Sequence, residues 1–189
     1  MDKKLNIVKT NFKDLYIIEP NSFKDERGVF SRVFCEEELK DIFKFNIKQI
    51  NHSITKEKGT VRGLHFQYEP YAEIKMVKCI KGKVFDVVVD IRKNSSTFLQ
   101  YFNIELTEEN QKMIYIPKGF AHGFQTLEDD TQLLYLHSGI YTPSHEGTLN
   151  IKDLLLNIKW PLDTIHISKK DENQPFLNLE FEGISVNEL

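Results

Sequence analysis

The chain has 189 residues, 40% of them hydrophobic and 28% charged, enough for one domain with a substantial core and too short for two. A formal net charge of -3 offers no basic field for a nucleic-acid backbone, no apolar run approaches the roughly 18 residues of a membrane span, and MDKKLNIVKTNF lacks the apolar centre of a signal peptide. A cytoplasmic protein is expected, with Cys35 and Cys79, far apart and outside any C-x-x-C pattern, as free thiols packed like small hydrophobes.

Runs rich in Val, Ile, Tyr and Phe alternate with turn signals along most of the chain. In order they are LYIIEP (15–20), VFSRVF (29–34), KQINHSI (48–54), VRGLHF (61–66), IKMVKCI (74–80), VFDVVVDIR (84–92), YFNIEL (101–106), KMIYIP (112–117), HGFQTL (122–127) and TQLLYLH (131–137). That spacing predicts an antiparallel all-β sandwich or barrel. IKGK (80–83) reads as a hairpin turn in which Gly82 takes a positive φ. Short helices are predicted at EEELKDIFKF (36–45), where Leu39, Ile42 and Phe43 fall at helical spacing, and near KDLLLNIKW (152–160). No repeat, low-complexity segment or Ser/Gly linker marks a boundary, so residues 1–189 are expected to form a single domain.

Strand parity sorts the faces. Phe85, Val87 and Val89 share one face, assigned to the core, and Val84, Asp86, Val88 and Asp90 share the other. Lys75 shares a face with Val77 and Cys79, and Tyr135 with Leu133 and His137; such mixed walls suit the interior of a ligand-holding barrel. Arg62 and His65, three apart, point to opposite faces of a regular strand. Gly63 between them is expected to mark a bulge that shifts the parity and aims both into one cavity.

A lone histidine in a strand is more often a satisfied core residue than a catalyst. With Arg62 and Lys75 on neighbouring strands, however, His65 would sit in a cationic pocket suited to phosphates or to a developing enolate oxygen. In PKGFAHGF (117–124) the Pro and Gly residues predict a stiff turn carrying His122, and Asp171 of SKKD (168–171) is a candidate to orient a histidine. The six histidines, 52, 65, 122, 137, 145 and 166, form no H-x-H or H-E-x-x-H pair, so no metal site is expected. Nor is there a G-x-S-x-G elbow, a phosphate-binding P-loop or a G-x-G-x-x-G turn.

Taken together, DERGVFSRVF, QINHS, GTVRGLHFQ, KMVKC, GKVFDVVVDIRKNSSTF, YIPKGFAHGFQTLEDD, LLYLHSGIYTPSHEG, IKWPL and ISKKD resemble the dTDP-4-dehydrorhamnose 3,5-epimerase family, in family order from residue 25 to about 171. The resemblance implies a cupin-type double-stranded β-helix, a jelly-roll barrel with a few short helices. It implies a homodimer with strand exchange that epimerises a nucleotide-linked 4-keto-6-deoxyhexose at C3 and C5 without a cofactor. Position by position, His65 matches the catalytic base, Tyr135 the proton donor and Asp171 the partner of the base. Arg27, Gln49, Asn51, Arg62, Lys75, His122, Glu146 and Lys170 match positions that bind the nucleotide sugar, and Tyr141 is expected to stack on a pyrimidine. Arg27 is expected to reach the partner subunit's site.

Three positions depart from the family pattern: Arg32 replaces a common glutamate, Ile140 one tyrosine of a pair, and Ile151 a tryptophan before Lys152 and Asp153. They leave the catalytic trio intact and bear on which nucleotide is bound. The alternatives carried forward are a single-site 3- or 5-epimerase acting on another dTDP- or CDP-linked keto-sugar, a silent sugar-binding jelly roll, and a metal-dependent cupin.

Overall fold

The computed structural model describes residues 3–43 and 46–187. The chain opens with β1 (Leu5–Lys9) and β2 (Tyr16–Pro20), then a small hairpin of β3 (Phe23–Asp25) and β4 (Gly28–Phe30) and the single turn of α1 (Glu36–Leu39). The central run follows: β5 (Gln49–Thr55), β6 (Val61–Gln67), β7 (Lys75–Lys81), β8 (Lys83–Asp90), β9 (Tyr101–Thr107), β10 (Met113–Ile116), β11 (Phe120–Thr126) and β12 (Thr131–His137). β13 (Glu146–Thr148) and α2 (Lys169–Glu172) complete the elements.

Among the described residues the strands form two antiparallel sheets, in the orders β1-β2-β10-β7-β12-β5 and β13-β6-β11-β8-β9. From β5 onward the chain passes between these two sheets at every step except β8 to β9, which is the winding of a jelly roll, and β3 and β4 form a separate two-stranded sheet. This is the cupin-type barrel that the resemblance implied, with two short helices, neither long nor apolar enough to cross a membrane.

Inward-facing apolar residues close one part of the barrel. Val77, Cys79, Ile114, Ile116 and Leu133 of the first sheet meet Val84, Val88, Leu106, Phe120 and Phe124 of the second, all at most 4% exposed. Burying each such side chain contributes ~1.5–3 kcal/mol. The outer faces are covered as well. Leu39, Phe43 and Ile74 pack on Ile18, Met76, Met113 and Leu136, while Leu149, Ile151, Leu156 and Ile184 cover Val61, Leu64, Val87, Val89 and Ala121. β8 is therefore buried on both faces, correcting the assignment of one core face: Val84 and Val88 face the interior, Val87 and Val89 the C-terminal coil.

Other expectations also change. Gly82 does take a positive φ (74°), but β7 and β8 enter different sheets, so IKGK is a corner between sheets and not a hairpin; a Cβ there would lie 2.6 Å from Thr131 Oγ1. The helix over 36–45 is only α1, part of the predicted span falling outside the described residues, and 152–160 is a series of turns. In the latter, the Asp153 carboxylate takes the Leu155 N–H at 2.8 Å in the manner of an N-cap, but after a single turn Asn157 adopts φ 46°, which is incompatible with a continuing helix. VFSRVF is strand only as far as Phe30. Cys79 is fully buried in the barrel core, which pushes its thiol up to about 12, and Cys35 packs beside the outer cluster; both are free.

Candidate active site

The two sheets part around a cavity of about 830 Å³, within the size range of small-molecule sites. Its walls carry Arg62, His65 and His122 from the second sheet and Asn51, Ser53, Lys75, Tyr135 and His137 from the first, with Ser168, Lys170 and Asp171 closing one side. Lys75 is thus not on a strand neighbouring β6, as expected from the sequence; it faces Arg62 and His65 from the opposite sheet.

The inward turn of both Arg62 and His65 has the anticipated cause. β11 pairs His122 with His65 but Phe124 with Arg62, so one residue, Gly123, stands opposite two, Gly63 and Leu64. This bulge restores the parity that a spacing of three would break. Only glycine fits there, since Gly63 has φ 133° and a Cβ on it would sit 2.5 Å from Gly123 Cα. His122, within β11 and not in the preceding turn, is brought to the same wall.

His65 Nε2 lies 2.8 Å from Asp171 Oδ1. A carboxylate only accepts, so the proton is assigned to Nε2 and the Nδ1 lone pair is the basic one. Burial alone would raise the Asp171 carboxyl, but hydrogen bonds from His65, Ser168 and the Gly63 backbone outweigh it and hold the group below the usual carboxylate range. Local sequence explains the placement: Ser168 caps α2 by accepting the Asp171 N–H at 3.1 Å, which turns that carboxylate toward β6.

Across the cavity, the Tyr135 hydroxyl is 3.2 Å from Ser53 Oγ. Burial raises its pKa well above the ordinary phenol value, against opposing contributions from Ser53 and Arg62, so it is held as the protonated phenol. His122 Nε2 lies 2.9 Å from Asp86 Oδ2, and burial raises the Asp86 carboxyl despite the histidine beside it. Arg62 donates from Nε to Thr55 Oγ1 at 3.1 Å, leaving its terminal nitrogens toward the cavity.

The remaining predicted residues divide. Gln49 Nε2 donates to Asn51 Oδ1 (3.1 Å), and Gln49 Oε1 accepts the Tyr141 N–H (3.0 Å). The Tyr141 hydroxyl donates to Glu146 Oε2 (2.9 Å), which also pairs with Lys170. Exposed Tyr141 and half-buried Gln49 and Glu146 thus form a rim attached to the cavity residues Asn51 and Lys170. Arg27 is elsewhere, at the tip of the β3–β4 hairpin, 83% exposed and paired with Asp25 (2.5 Å). Of the departing residues, Arg32 is tied to Glu38, Ile140 is exposed and Ile151 belongs to the outer core.

Sequence reasoning gave no role to Asp86, Glu73, Ser53 or His137. Parity had placed Asp86 on a face with Val84 and Val88, and His137 on a face with Tyr135; an acid and a histidine on inward faces were the available signal.

Residues 9–178 match the family model described as dTDP-4-dehydrorhamnose 3,5-epimerase. The chain is 41% identical over 180 residues to the enzyme of that name from Shigella flexneri, covering 94% of this chain and 99% of the relative. A dTDP-6-deoxy-D-glucose-3,5-epimerase from Legionella pneumophila, solved with dTDP-4-keto-L-rhamnose, superposes with a TM-score of 0.90 at 36% identity over 97% of this chain and 100% of that one. A 3'-monoepimerase from Streptomyces bikiniensis, solved with dTDP-quinovose, gives a TM-score of 0.84 at 31% identity over 89% and 86%. With the fold and the sequence agreeing along nearly the whole length, the chain belongs to the dTDP-4-dehydrorhamnose 3,5-epimerase family of isomerases.

Proposed function

We propose that the protein epimerises a dTDP-linked 4-keto-6-deoxyhexose at C3 and C5 through an enolate, with His65 as base and Tyr135 as proton donor. The observation that carries this reading is the placement of the His65–Asp171 pair and Tyr135 on opposing sheets of one cavity that also holds Lys75. The ketone acidifies the hydrogens on C3 and C5. His65 Nδ1 takes one of them, and Asp171, held ionised, stabilises the imidazolium that forms. Charge then gathers on the C4 oxygen, where Lys75 neutralises it. Tyr135, protonated and on the far wall, returns a proton to the other face, so the centre inverts.

No electron pair leaves as hydride, so the reaction needs neither nicotinamide nor metal. Arg62 and Lys170 suit the diphosphate, Arg62 by its guanidinium fork. Asn51, Gln49, His122, Glu146 and the Tyr141 ring bind the rest of the nucleotide sugar. The free thiols fit a cytoplasmic setting.

The same reading includes a homodimer with strand exchange. Phe23, Val29 and Phe30 of the β3–β4 hairpin are 65%, 54% and 75% exposed, and edge strand β5 exposes Ile50 and Ile54, so an apolar arm and an open edge await a partner. Arg27 rides on that arm, away from its own cavity, and is delivered to the partner's diphosphate.

His65→Asn tests the reading. Solvent deuterium incorporation into dTDP-4-keto-6-deoxyglucose, followed by NMR, is expected to slow by ~10²- to 10⁴-fold; an unchanged rate removes His65 as base. Mixing His65→Asn subunits with Arg27→Ala subunits should restore activity, because one intact site forms in each heterodimer, whereas no recovery rejects the exchanged arm. The likeness to a monoepimerase supports single-site inversion as the second reading. Deuterium confined to C3 or C5 identifies it.

A further inference from the structure

A third histidine–carboxylate pair of the cavity, His137–Glu73, stands beside Lys75 with no part in the steps above. His137 follows Tyr135 on β12 with the same inward parity, and its ring stacks on that of Tyr135 (centroids 6.1 Å apart, planes at 24°). Its Nδ1 lies 3.0 Å from Glu73 Oε2, and its Nε2 lies 3.4 Å from Asn51 Nδ2. A carboxylate only accepts and an amide nitrogen only donates, so one tautomer satisfies both contacts: the proton on Nδ1, the lone pair on Nε2. The other Glu73 oxygen, Oε1, is 3.5 Å from Lys75 Nζ, and the Glu73 and Lys75 side chains are 6% and 14% exposed.

One enclosed carboxylate therefore faces two donors, and they are not equally close. The His137 contact, at 3.0 Å, is the shorter and stronger hydrogen bond, while Lys75 holds Glu73 in a looser ion pair at 3.5 Å, beyond the ~3.2 Å of a normal hydrogen bond. Burial alone would raise the Glu73 carboxyl, but the bond from His137 and the charge of Lys75 hold it below its usual range, so it is an anion and a competitor for Lys75. Closed onto the ammonium, Glu73 would offset the charge that the reaction sets against the C4 oxygen.

We infer that His137 is a positioning residue that holds Glu73 back from Lys75 and so keeps the ammonium available to the enolate oxygen. This rests on the enolate reading of the site. It acts on the transition state more than on binding, because the C4 oxygen asks most of Lys75 when it carries charge.

The test is a double-variant cycle on the full chain, read as kcat and KM for epimerisation of dTDP-4-keto-6-deoxyglucose. His137→Phe keeps a ring packed on Tyr135 and removes the N–H to Glu73 together with the weaker Nε2 contact to Asn51 at 3.4 Å; kcat is expected to fall about tenfold or more with KM within about threefold. Adding Glu73→Gln removes the competing charge and should return kcat to within about threefold of the wild type. His137→Asn, which keeps an N–H near the Nδ1 position, should hold kcat similarly. A His137→Phe enzyme with wild-type kcat overturns the inference, and so does a double variant as slow as the single one. An inactive wild-type protein overturns the functional proposal, and this inference with it, a result distinct from either. Should His137→Phe not fold, ¹⁵N spectra of the wild type decide: a proton on Nδ1 of His137 supports the inference, and one on Nε2 overturns it.

Discussion

Two histidine–carboxylate pairs on the same wall of the cavity have nearly the same geometry and opposite surroundings. His65 and Asp171 are 2.8 Å apart and His122 and Asp86 2.9 Å, yet the His65 side chain is 34% exposed and that of His122 6%. Asp171 gathers hydrogen bonds from His65, Ser168 and Gly63, and its carboxyl is held low. Asp86 has His122 alone; its Oδ1 is buried without a hydrogen-bond partner, and its carboxyl is driven high. Distance within a pair therefore does not select the base. In the proposed mechanism the base is set apart by a partner stabilised as an anion and by a more exposed ring.

The largest expected effect separates the two pairs by activity. Asp171→Asn removes the charge that orients His65 and stabilises its imidazolium, and kcat should fall by ~10²- to 10⁴-fold. Asp86→Asn removes a carboxylate that the fold already disfavours as an anion, and kcat should fall no more than about tenfold. Steady-state rates of the two variants, measured side by side, check this. Equal losses would mean that both pairs take part in proton transfer and that the contrast in burial does not divide their roles.

Much of the barrel was legible because strand parity and turn chemistry are local. Nearly every central run of alternating Val, Ile, Tyr and Phe became a strand, and the Gly63 bulge followed from one glycine between Arg62 and His65. The pairings were not legible, because the partners lie 106 residues apart for His65–Asp171, 36 for His122–Asp86 and 64 for His137–Glu73. Only the resemblance joined the first of them. Of the two predicted helices, the one within 36–45 formed as the single turn of α1, and the one near 152–160 did not, because Asn157 at φ 46° turns the backbone out of the helical region. The three-residue strands β3 and β13 gave too few residues for a period to register.

The same contrast predicts a difference in how acid affects stability. A carboxyl lowered by folding, as in Asp171, stabilises the fold above its ordinary value of 3.8 and loses that contribution as pH falls through the lower folded value. A carboxyl raised by folding, as in Asp86, works the other way: its contribution is full below 3.8 and is lost as pH rises through the higher folded value. Thermal midpoints of the wild type and both Asn variants, taken across about pH 3 to 7, should therefore give difference curves of opposite slope. Parallel curves would show that Asp86 is as comfortable as an anion as Asp171, and the explanation of the two pairs by burial would fail.

The smallest effect is expected at an ion pair outside the cavity lining, Arg32–Glu38, whose arginine is 39% exposed and whose glutamate is 12% exposed. Arg32 stands where the family commonly carries a glutamate, which raised the prospect that it reads the base, since an arginine offers only donors and favours the acceptors of cytosine. In the structure its guanidinium is bound to Glu38 Oε1, while Glu38 Oε2 accepts the backbone N–H groups of Lys4 and Leu5, each at 2.7 Å. Arg32 is thus engaged in fastening the start of β1 to α1. Partly exposed pairs of this kind contribute little, and nothing in the contact network of Arg32 favours one pyrimidine over the other. Arg32→Gln should leave the ratio of dTDP to CDP affinities, measured by calorimetry, within about threefold of the wild type. A tenfold change would mean that the side chain leaves Glu38 to contact the base, in its own cavity or in a partner's, and that a surface pair can be drawn into the site as the buried pairs are.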